Sequence, residues 1–276
     1  MSYAIQHLFV YPIKSIGGVA VKASALTARG LQYDRRMMLV DENGLFLTQR
    51  EHPKLALFKT EMEAENIVIS STGELGMSLV KVPLDPVRGN EVHTTVWSDS
   101  CLAFEFSEVA NAFFSRKLNA NVRLVYMPED SHRYVDPNYA EQVIYAFSDG
   151  FPILVIGSAS LVDLNKKLQK RGSNETMNWD RFRPNIVVST ELPFVEDKWK
   201  EMCIQHLIFK VVKPCSRCVM TTINQTTAAM GKEPLRTLST YRTVDHKVLF
   251  GQNVINLSHA GEIHVGDMVD VKSIEC

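Results

Sequence analysis

No apolar run in the sequence approaches the roughly 20 residues that a membrane-spanning helix requires. The opening segment, MSYAIQHLFVYPIKS, has no basic stretch followed by an apolar core, so it does not read as a secretory leader. Charge of one sign is not in excess: 30 Lys and Arg face 31 Asp and Glu, a net charge of −1. Neither nucleic acid nor an anionic membrane is therefore expected as a bulk partner. Cysteine is sparse and odd in number, with five residues at Cys101, Cys203, Cys215, Cys218 and Cys276. Scattered in a chain without a leader, they make a poor disulfide framework, and the expected location is cytoplasmic. There is no internal repeat, no low-complexity segment, no G-x-G-x-x-G after a strand and no C-x₄-C-x₂-C set. Solenoid, dinucleotide-binding and plant-type ferredoxin readings find no footing.

What is present suits one large domain or two modest ones in 276 residues. The first half reads as short strands at 5–11, 19–26, 37–41, 67–70, 92–96 and 101–106, divided by Gly, Pro, Asn and Asp. One helix is expected over 107–118, with Val109, Phe113, Phe114 and Leu118 at helical spacing. A polar, proline-bearing stretch from Met127 marks the crossing between domains 1–127 and 128–276. Beyond it come a strand in Pro152-I-L-V-I-G and a helix over 159–171, capped by Ser158 and burying Leu161, Leu164 and Leu168. Strands are expected at 186–189, 204–212 and 219–223, a short helix at 234–240, and a closing hairpin in Gly261-E-I-H-V-G-D-M-V-D-V. The predicted fold class is mainly β with α: two β-barrel-like domains with helices packed outside.

The pair Cys215 and Cys218 in Lys213-P-C-S-R-C-V-M-T-T sits close enough for chemistry. Tetrahedral zinc needs about four ligands, and neither a second such pair nor a suitable spacing among the eight histidines supplies them. A thioredoxin-type pair belongs at a helix N-terminus, whereas the β-prone Val219-M-T-T-I follows here. Two readings stay open: structural thiols at the start of a strand, or one thiolate ligand to a soft metal delivered inside a cofactor. Cys101 and Cys203 read as reduced, buried small hydrophobes.

A cofactor of that kind usually carries a phosphate and calls for scattered cations. Lys14 and Ser15 follow a proline in Tyr11-P-I-K-S; Arg35 and Arg36 lie in Tyr33-D-R-R; Arg183 precedes a proline in Arg181-F-R-P-N; Arg217 stands between the two cysteines. Each alone is compatible with an ordinary solvated surface cation. Arginine beside proline suits bidentate phosphate recognition.

Taken together, Y-P-I-K-S, D-R-R, S-D-G-F-P, F-R-P-N-I-V, P-C-S-R-C-V-M-T-T, E-P-L-R-T-L-S-T-Y-R and L-F-G-Q-N resemble the MOSC family, in the branch of the mitochondrial amidoxime-reducing component and its bacterial relatives. The order matches along nearly the whole chain. The first half resembles that branch's N-terminal β-barrel domain, and the part from about 128 onward resembles the MOSC domain. The resemblance implies a molybdenum cofactor held by a pyranopterin dithiolene and one protein thiolate. In the C-S-R-C block the second cysteine, Cys218, matches the ligand, with Ser216 and Arg217 contacting the cofactor. Lys14, Ser15, Arg35 and Arg183 match positions that hold the pterin phosphate and ring. Gly150 and Phe151 stand where the family offers small hydroxyl residues, so at most backbone contacts carry over. Asn253 matches a cofactor-adjacent position. Asp34 and Asp149 are the nearest carboxylates to a proton donor and read as structural.

The reaction implied is two-electron reduction of an N–O bond in hydroxylamines, amidoximes or N-hydroxylated bases, a detoxifying chemistry. Electrons are expected from a separate iron–sulfur or flavin donor, since neither the ferredoxin domain of some relatives nor a membrane anchor is visible in the chain. Either the donor is separate or the chain is a fragment. The alternatives are a persulfide-carrying sulfur carrier and a non-catalytic protein that binds or delivers the cofactor. A pyridoxal phosphate Schiff base at Lys14 is disfavoured.

Overall fold

A computed structural model describes residues 3–73 and 76–273; Cys276 lies outside them. Seven strands close into a barrel. In spatial order these are Ile153–Gly157, Ile186–Val188, Tyr3–Val10, Met268–Ser273, Trp199–Ile204, Leu207–Ser216 and Lys247–Asn256, and the last pairs with the first. Inward-facing Ile5, Leu8, Val155, Trp199, Met202, Phe209 and Val254 fill it, all nearly or fully buried. The alternation of buried and less buried residues along Tyr3–Val10 is what a strand with one face in a core requires. Gly251 is the one residue in Lys247–Asn256 with a left-handed φ, 80°; a Cβ there would meet Val155 O at 2.9 Å. The strand pairs with two neighbours beyond that point, Ile153–Gly157 and Leu207–Ser216.

The rest of the first half forms a half-barrel beside it. A four-stranded sheet runs Met37–Val40, Arg123–Tyr126, Asp99–Glu105, Glu91–Val96, and a three-stranded meander runs Phe58–Glu63, Asn66–Gly73, Gly76–Pro83. The helix Glu108–Leu118 covers their shared core, with Ser107 capping Ala110 N–H at 3.2 Å. The mainly β, two-barrel reading is thus the observed architecture. The first strand nevertheless pairs with Ile186–Val188 and Met268–Ser273. A cut between 127 and 128 therefore passes through a sheet that both parts of the chain build.

Several local expectations need correction. Val109 is exposed; Ala110 joins Phe113 and Phe114 on the buried face instead. Ser158 is the first residue of the helix Ser158–Lys170 and not its cap; its hydroxyl accepts from Thr190 N–H at 3.1 Å. Leu161, Leu164 and Leu168 are buried as expected. The expected strand at 204–212 begins at Leu207, because Gln205, at φ 56°, turns the chain out of Trp199–Ile204. Glu262–His264 pairs with Ala23–Thr27 and Met268–Ser273 pairs within the barrel, so the closing segment is no hairpin.

The expected strand at 219–223 is a 3-10 turn, Val219–Thr222. The hydroxyls of Thr221 and Thr222 donate back to Cys218 O at 3.0 Å and Val219 O at 2.7 Å. Threonine hydroxyls bonded three residues back favour a turn over a ladder, and that overrides β propensity here. A thioredoxin-type pair is therefore weighed against this turn and not against a strand. What disfavours that pair in the structure is that four residues of 3-10 turn carry almost no helix dipole.

Glu196 is fully buried behind the start of Ser158–Lys170, where its Oε1 accepts from Gly157 N–H at 3.0 Å and Ser160 Oγ at 2.7 Å. A Cβ at residue 157 would come within 2.6 Å of the other oxygen, so only glycine fits. Burial raises the pKa of Glu196 above the usual carboxylate range, against the opposing hydrogen bonds. A raised folded value means the contribution to stability is full below the unfolded pKa and lost as pH rises through the folded one. Glu196→Gln should flatten the loss that sets in as pH rises above the ordinary carboxylate pKa. Glu196→Ala, which strands two buried donors, should cost about 1–3 kcal/mol in urea unfolding.

Candidate functional site

Between the barrel and the half-barrel lies a cleft of about 290 Å³. The ten residues that the resemblance assigns to the cofactor all line it: Lys14, Ser15, Arg35, Gly150, Phe151, Arg183, Ser216, Arg217, Cys218 and Asn253. They arrive on separate elements. Lys14 and Ser15 leave the end of the first strand, Arg183 ends a helical turn, Trp179–Phe182, and Cys218 follows the long strand Leu207–Ser216. Ser15, Arg35 and Arg183 all have positive φ, at 66°, 49° and 57°. Left-handed backbone is uncommon outside glycine, and three such residues on one cleft mark a place where geometry is held against preference.

The floor is built around Tyr11. The guanidiniums of Arg35 and Arg183 each lie 4.2 Å from its ring centroid. Its hydroxyl donates to Pro184 O at 3.1 Å, and its backbone N–H donates to Asp34 at 2.9 Å. Arg35 donates to both oxygens of Asp34, at 2.8 and 2.6 Å, and to Asn185 Oδ1 at 3.1 Å. Arg183 donates to Ile16 O at 2.6 Å, while its Nη2 is buried with no partner among the described residues. Burial, with Arg35 nearby, brings the pKa of Arg183 down to about 10, so it remains a cation at neutral pH.

Lys14 is buried and bonded to Phe147 O at 2.7 Å and to the carboxylate of Asp149. Asp149 also accepts from Trp97 Nε1 at 3.1 Å. Desolvation opposes its ionisation only in part, since the side chain is 57% exposed, and the charge and hydrogen bond of Lys14 hold Asp149 well below the usual carboxylate range. Asp149 has no proton to give near neutral pH. Asp34 does not line the cleft. Each carboxylate is the ion-pair partner of a cleft cation, Asp34 of Arg35 and Asp149 of Lys14.

Cys218 is a free, exposed thiol, and Cys215 is free and half-buried. Arg217 takes its place between them: its N–H donates to Val248 O at 2.8 Å, its Nη2 to Phe182 O at 2.5 Å and its Nη1 to Cys215 Sγ at 2.9 Å. Arg217 Nε is buried and unpartnered among the described residues. The turn after Cys218 is tied to the half-barrel by Gln49 and Gln225, which exchange amide hydrogen bonds at 3.1 and 2.9 Å while Gln49 also donates to Ser15 O. Arg36 stands apart, on Met127 O and Glu129. Cys101 is buried; Cys203 is only half-buried, with its thiol on Gln205 O at 3.3 Å. Among the described residues no group of three or more His, Cys, Asp or Glu side chains is placed to hold a metal ion.

The sequence reading missed Arg50, Trp97, Arg181 and Asn185. Arg181 and Asn185 lie inside the quoted R-F-R-P-N segment, so proximity to Arg183 was a usable signal. Arg181 is buried on Thr221 O at 2.8 Å and Glu233 O at 3.0 Å. Arg50 and Trp97 lie outside the motifs quoted above.

With this geometry in place, residues 2–121 match the family described as MOSC N-terminal beta barrel domain, and residues 143–270 match the MOSC domain. The chain is 31% identical over 283 residues to mitochondrial amidoxime-reducing component 1 of Mus musculus, spanning 96% of this chain and 81% of that protein. It is 33% identical over 292 residues to mitochondrial amidoxime reducing component 2 of Rattus norvegicus, spanning 96% and 82%. A third relative, the molybdenum cofactor sulfurase of Danio rerio, is 30% identical over 95% of this chain but only 33% of its own length. No helix among the described residues is long and apolar enough to cross a membrane.

Lys14 is expected to depend on Asp149 for its charge. Its pKa is lowered by burial and held up by that carboxylate. In Asp149→Asn the ammonium loses its partner and should deprotonate closer to neutrality. Lys14 should then react with an acylating reagent at pH 8 much faster than in the parent protein, as read by peptide mass spectrometry; equal rates would show that Asp149 does not support it.

Proposed function

Because the chain belongs to the MOSC family, in the branch of the mitochondrial amidoxime-reducing components, we propose that it is a molybdenum-cofactor-dependent oxidoreductase that reduces N-hydroxylated compounds with electrons from a separate donor. The observation that carries this reading is an exposed Cys218 thiol on a cleft lined by seven Lys and Arg side chains and one acidic residue, Asp149. Two of those cations keep buried donors without partners, Arg183 Nη2 and Arg217 Nε. Buried polar groups are almost always satisfied, so such donors suit an anionic ligand. The residues present fit the cofactor.

When bound, the molybdenum cofactor supplies a centre able to exchange two electrons and accept an oxygen atom. Cys218 offers the soft thiolate such a metal prefers. Lys14, Arg35 and Arg183 would hold the pterin phosphate, with Ser15, Ser216, Arg217, Asn253 and the backbone of Gly150 and Phe151 as further cofactor contacts. In the net reaction the N–O bond breaks, the oxygen leaves as water, and two electrons and two protons come from outside the chain. Asp149, locked as a carboxylate by Lys14, supplies none of those protons.

One observation favours a second reading. The match to a molybdenum cofactor sulfurase spans 95% of this chain, and an exposed cysteine could carry a persulfide. Metal, pterin and sulfane-sulfur analysis of protein made in a cofactor-competent host separates the two, because a sulfur carrier would purify without metal.

Cys218→Ser should abolish molybdenum retention and activity, whereas Cys215→Ser should keep the metal. Equal molybdenum in the parent and Cys218→Ser would sink the ligand assignment. Arg183→Ala should weaken cofactor binding by about 2–5 kcal/mol, the cost of a buried charge left alone. The molybdenum-loaded chain should be silent with NADH or NADPH alone and active with reduced viologen on an amidoxime or N-hydroxylated purine. Inactivity with viologen across several N-hydroxy compounds would transfer support to the carrier or delivery reading.

A further inference from the structure

The seven cations of the cleft fall into two groups. Lys14, Arg35, Arg181, Arg183 and Arg217 each donate to a protein carbonyl or carboxylate. Arg50 and Lys213 do neither. Arg50 lies with its guanidinium 4.4 Å from the Trp97 ring centroid, and its one polar contact is with Cys218 Sγ at 4.0 Å. Lys213 stands 4.1 Å from the Tyr139 ring and 5.1 Å from Phe151, with no hydrogen-bond or ion-pair partner among the described residues. Cation–π contact orients a charge without neutralising it.

Both are supported by unusual local structure. Trp97 sits at the tip of the hairpin joining Glu91–Val96 to Asp99–Glu105, half exposed and at φ 58°, a turn position that ordinarily takes Asn, Asp or Gly. Its indole is pinned by Asp149 at 3.1 Å and packs on Phe46 at 5.3 Å. Lys213 follows a register shift in Leu207–Ser216, between Val211 and Lys213. Such a shift re-aims the side chains around it. Tyr139 and Phe151 meet edge to face at 5.7 Å to form its platform.

The geometry points to Arg50 and Lys213 as the cations that receive the substrate, and to an N-hydroxylated compound carrying an anionic group as the class this cleft prefers. The assignment rests on the reading of Cys218 as the centre of the reaction. Arg50 holds an N–H edge beside the Cys218 sulfur, so an acceptor drawn to that edge arrives next to the reacting position. A cationic substrate meets Lys213, which makes no hydrogen bond or ion pair with the described residues, and Arg50, whose charge Asp149 offsets only through space. The committed cations hold the cofactor; the uncommitted pair selects what approaches it.

The test begins with the cofactor-free full chain. Iodoacetate and iodoacetamide both alkylate the Cys218 thiolate, forming an S–C bond and releasing iodide, and differ by one negative charge. The iodoacetate-to-iodoacetamide rate ratio at Cys218, mapped by mass spectrometry, should fall about fivefold or more in Arg50→Gln, as expected for loss of a unit charge roughly 4 Å away. Arg50→Lys should regain part of it. 4-Carboxybenzamidoxime should protect Cys218 from iodoacetamide better than benzamidoxime does, and Arg50→Gln and Lys213→Gln should each weaken that protection. In molybdenum-loaded protein, the ratio of kcat/KM for the carboxylate over the neutral amidoxime should fall in both variants while metal content is retained. An unchanged alkylation ratio in Arg50→Gln, or equal protection by the two amidoximes, overturns the proposal. So does loss of metal from Arg50→Gln and Lys213→Gln, which would assign both cations to the cofactor. If the parent protein reduces no N-hydroxy compound, the reductase reading fails separately, and the alkylation and protection measurements still decide whether this pair draws anions to Cys218.

Discussion

Burying like charges beside one another is the constraint around which this molecule is arranged. Arg35 and Arg183 share the ring of Tyr11, each 4.2 Å from its centroid, with Lys14 buried on the same cleft. Left alone, that grouping would be strongly unfavourable. It is tolerated because Asp34 offsets Arg35, Asp149 offsets Lys14, and the carbonyls of Ile16, Phe147 and Arg183 accept from the three cations. These partners come from both halves of the chain. Neither half contains a complete set of compensating groups, and so the cleft exists only when the first strand is built into the barrel.

The same seam explains the backbone around it. Ser15, Arg35 and Arg183 adopt left-handed conformations that cost free energy locally. Each is over-determined by neighbours: Arg35 N–H donates to Tyr11 O at 2.7 Å, Arg183 N–H donates to Trp179 O at 2.8 Å, and Ser15 O accepts from Gln49 at 2.8 Å. The Gln49–Gln225 exchange extends the hold to the segment that follows Cys218. An exposed thiol is thereby placed by an ordered turn, with Thr221 and Thr222 closing it from behind.

Charge on the cleft is graded by commitment. Cations whose donors are already used lie deep and set a positive potential; those with spare buried donors, Arg183 and Arg217, suit a resident anion. Arg50 and Lys213, held by aromatic faces, spend no donor on a carbonyl or carboxylate among the described residues. A site with resident and incoming ligands needs both kinds, since a cation consumed in holding one cannot also recruit the other.

Much of this was legible without coordinates. Short strands punctuated by Gly, Pro, Asn and Asp gave the mainly β class, and the stripe Leu161, Leu164, Leu168 gave its helix a buried face, because period and punctuation are local properties. The ten residues that the family resemblance implies for the cofactor come from separate segments, and they line one cleft. Local propensity misled where a few hydrogen bonds decided otherwise: Val219–Thr222 is β-prone in composition, yet two threonine hydroxyls turn it into a 3-10 loop. Pairing partners were out of reach, since the closing segment splits between two sheets according to which strands lie nearby. Arg50 and Trp97 lie outside the motifs quoted above; the packing of a hairpin tip against the Asp149 segment brings them to Cys218. Residue chemistry is written along the chain, but which charges are spent and which stay free depends on neighbours supplied by the tertiary fold.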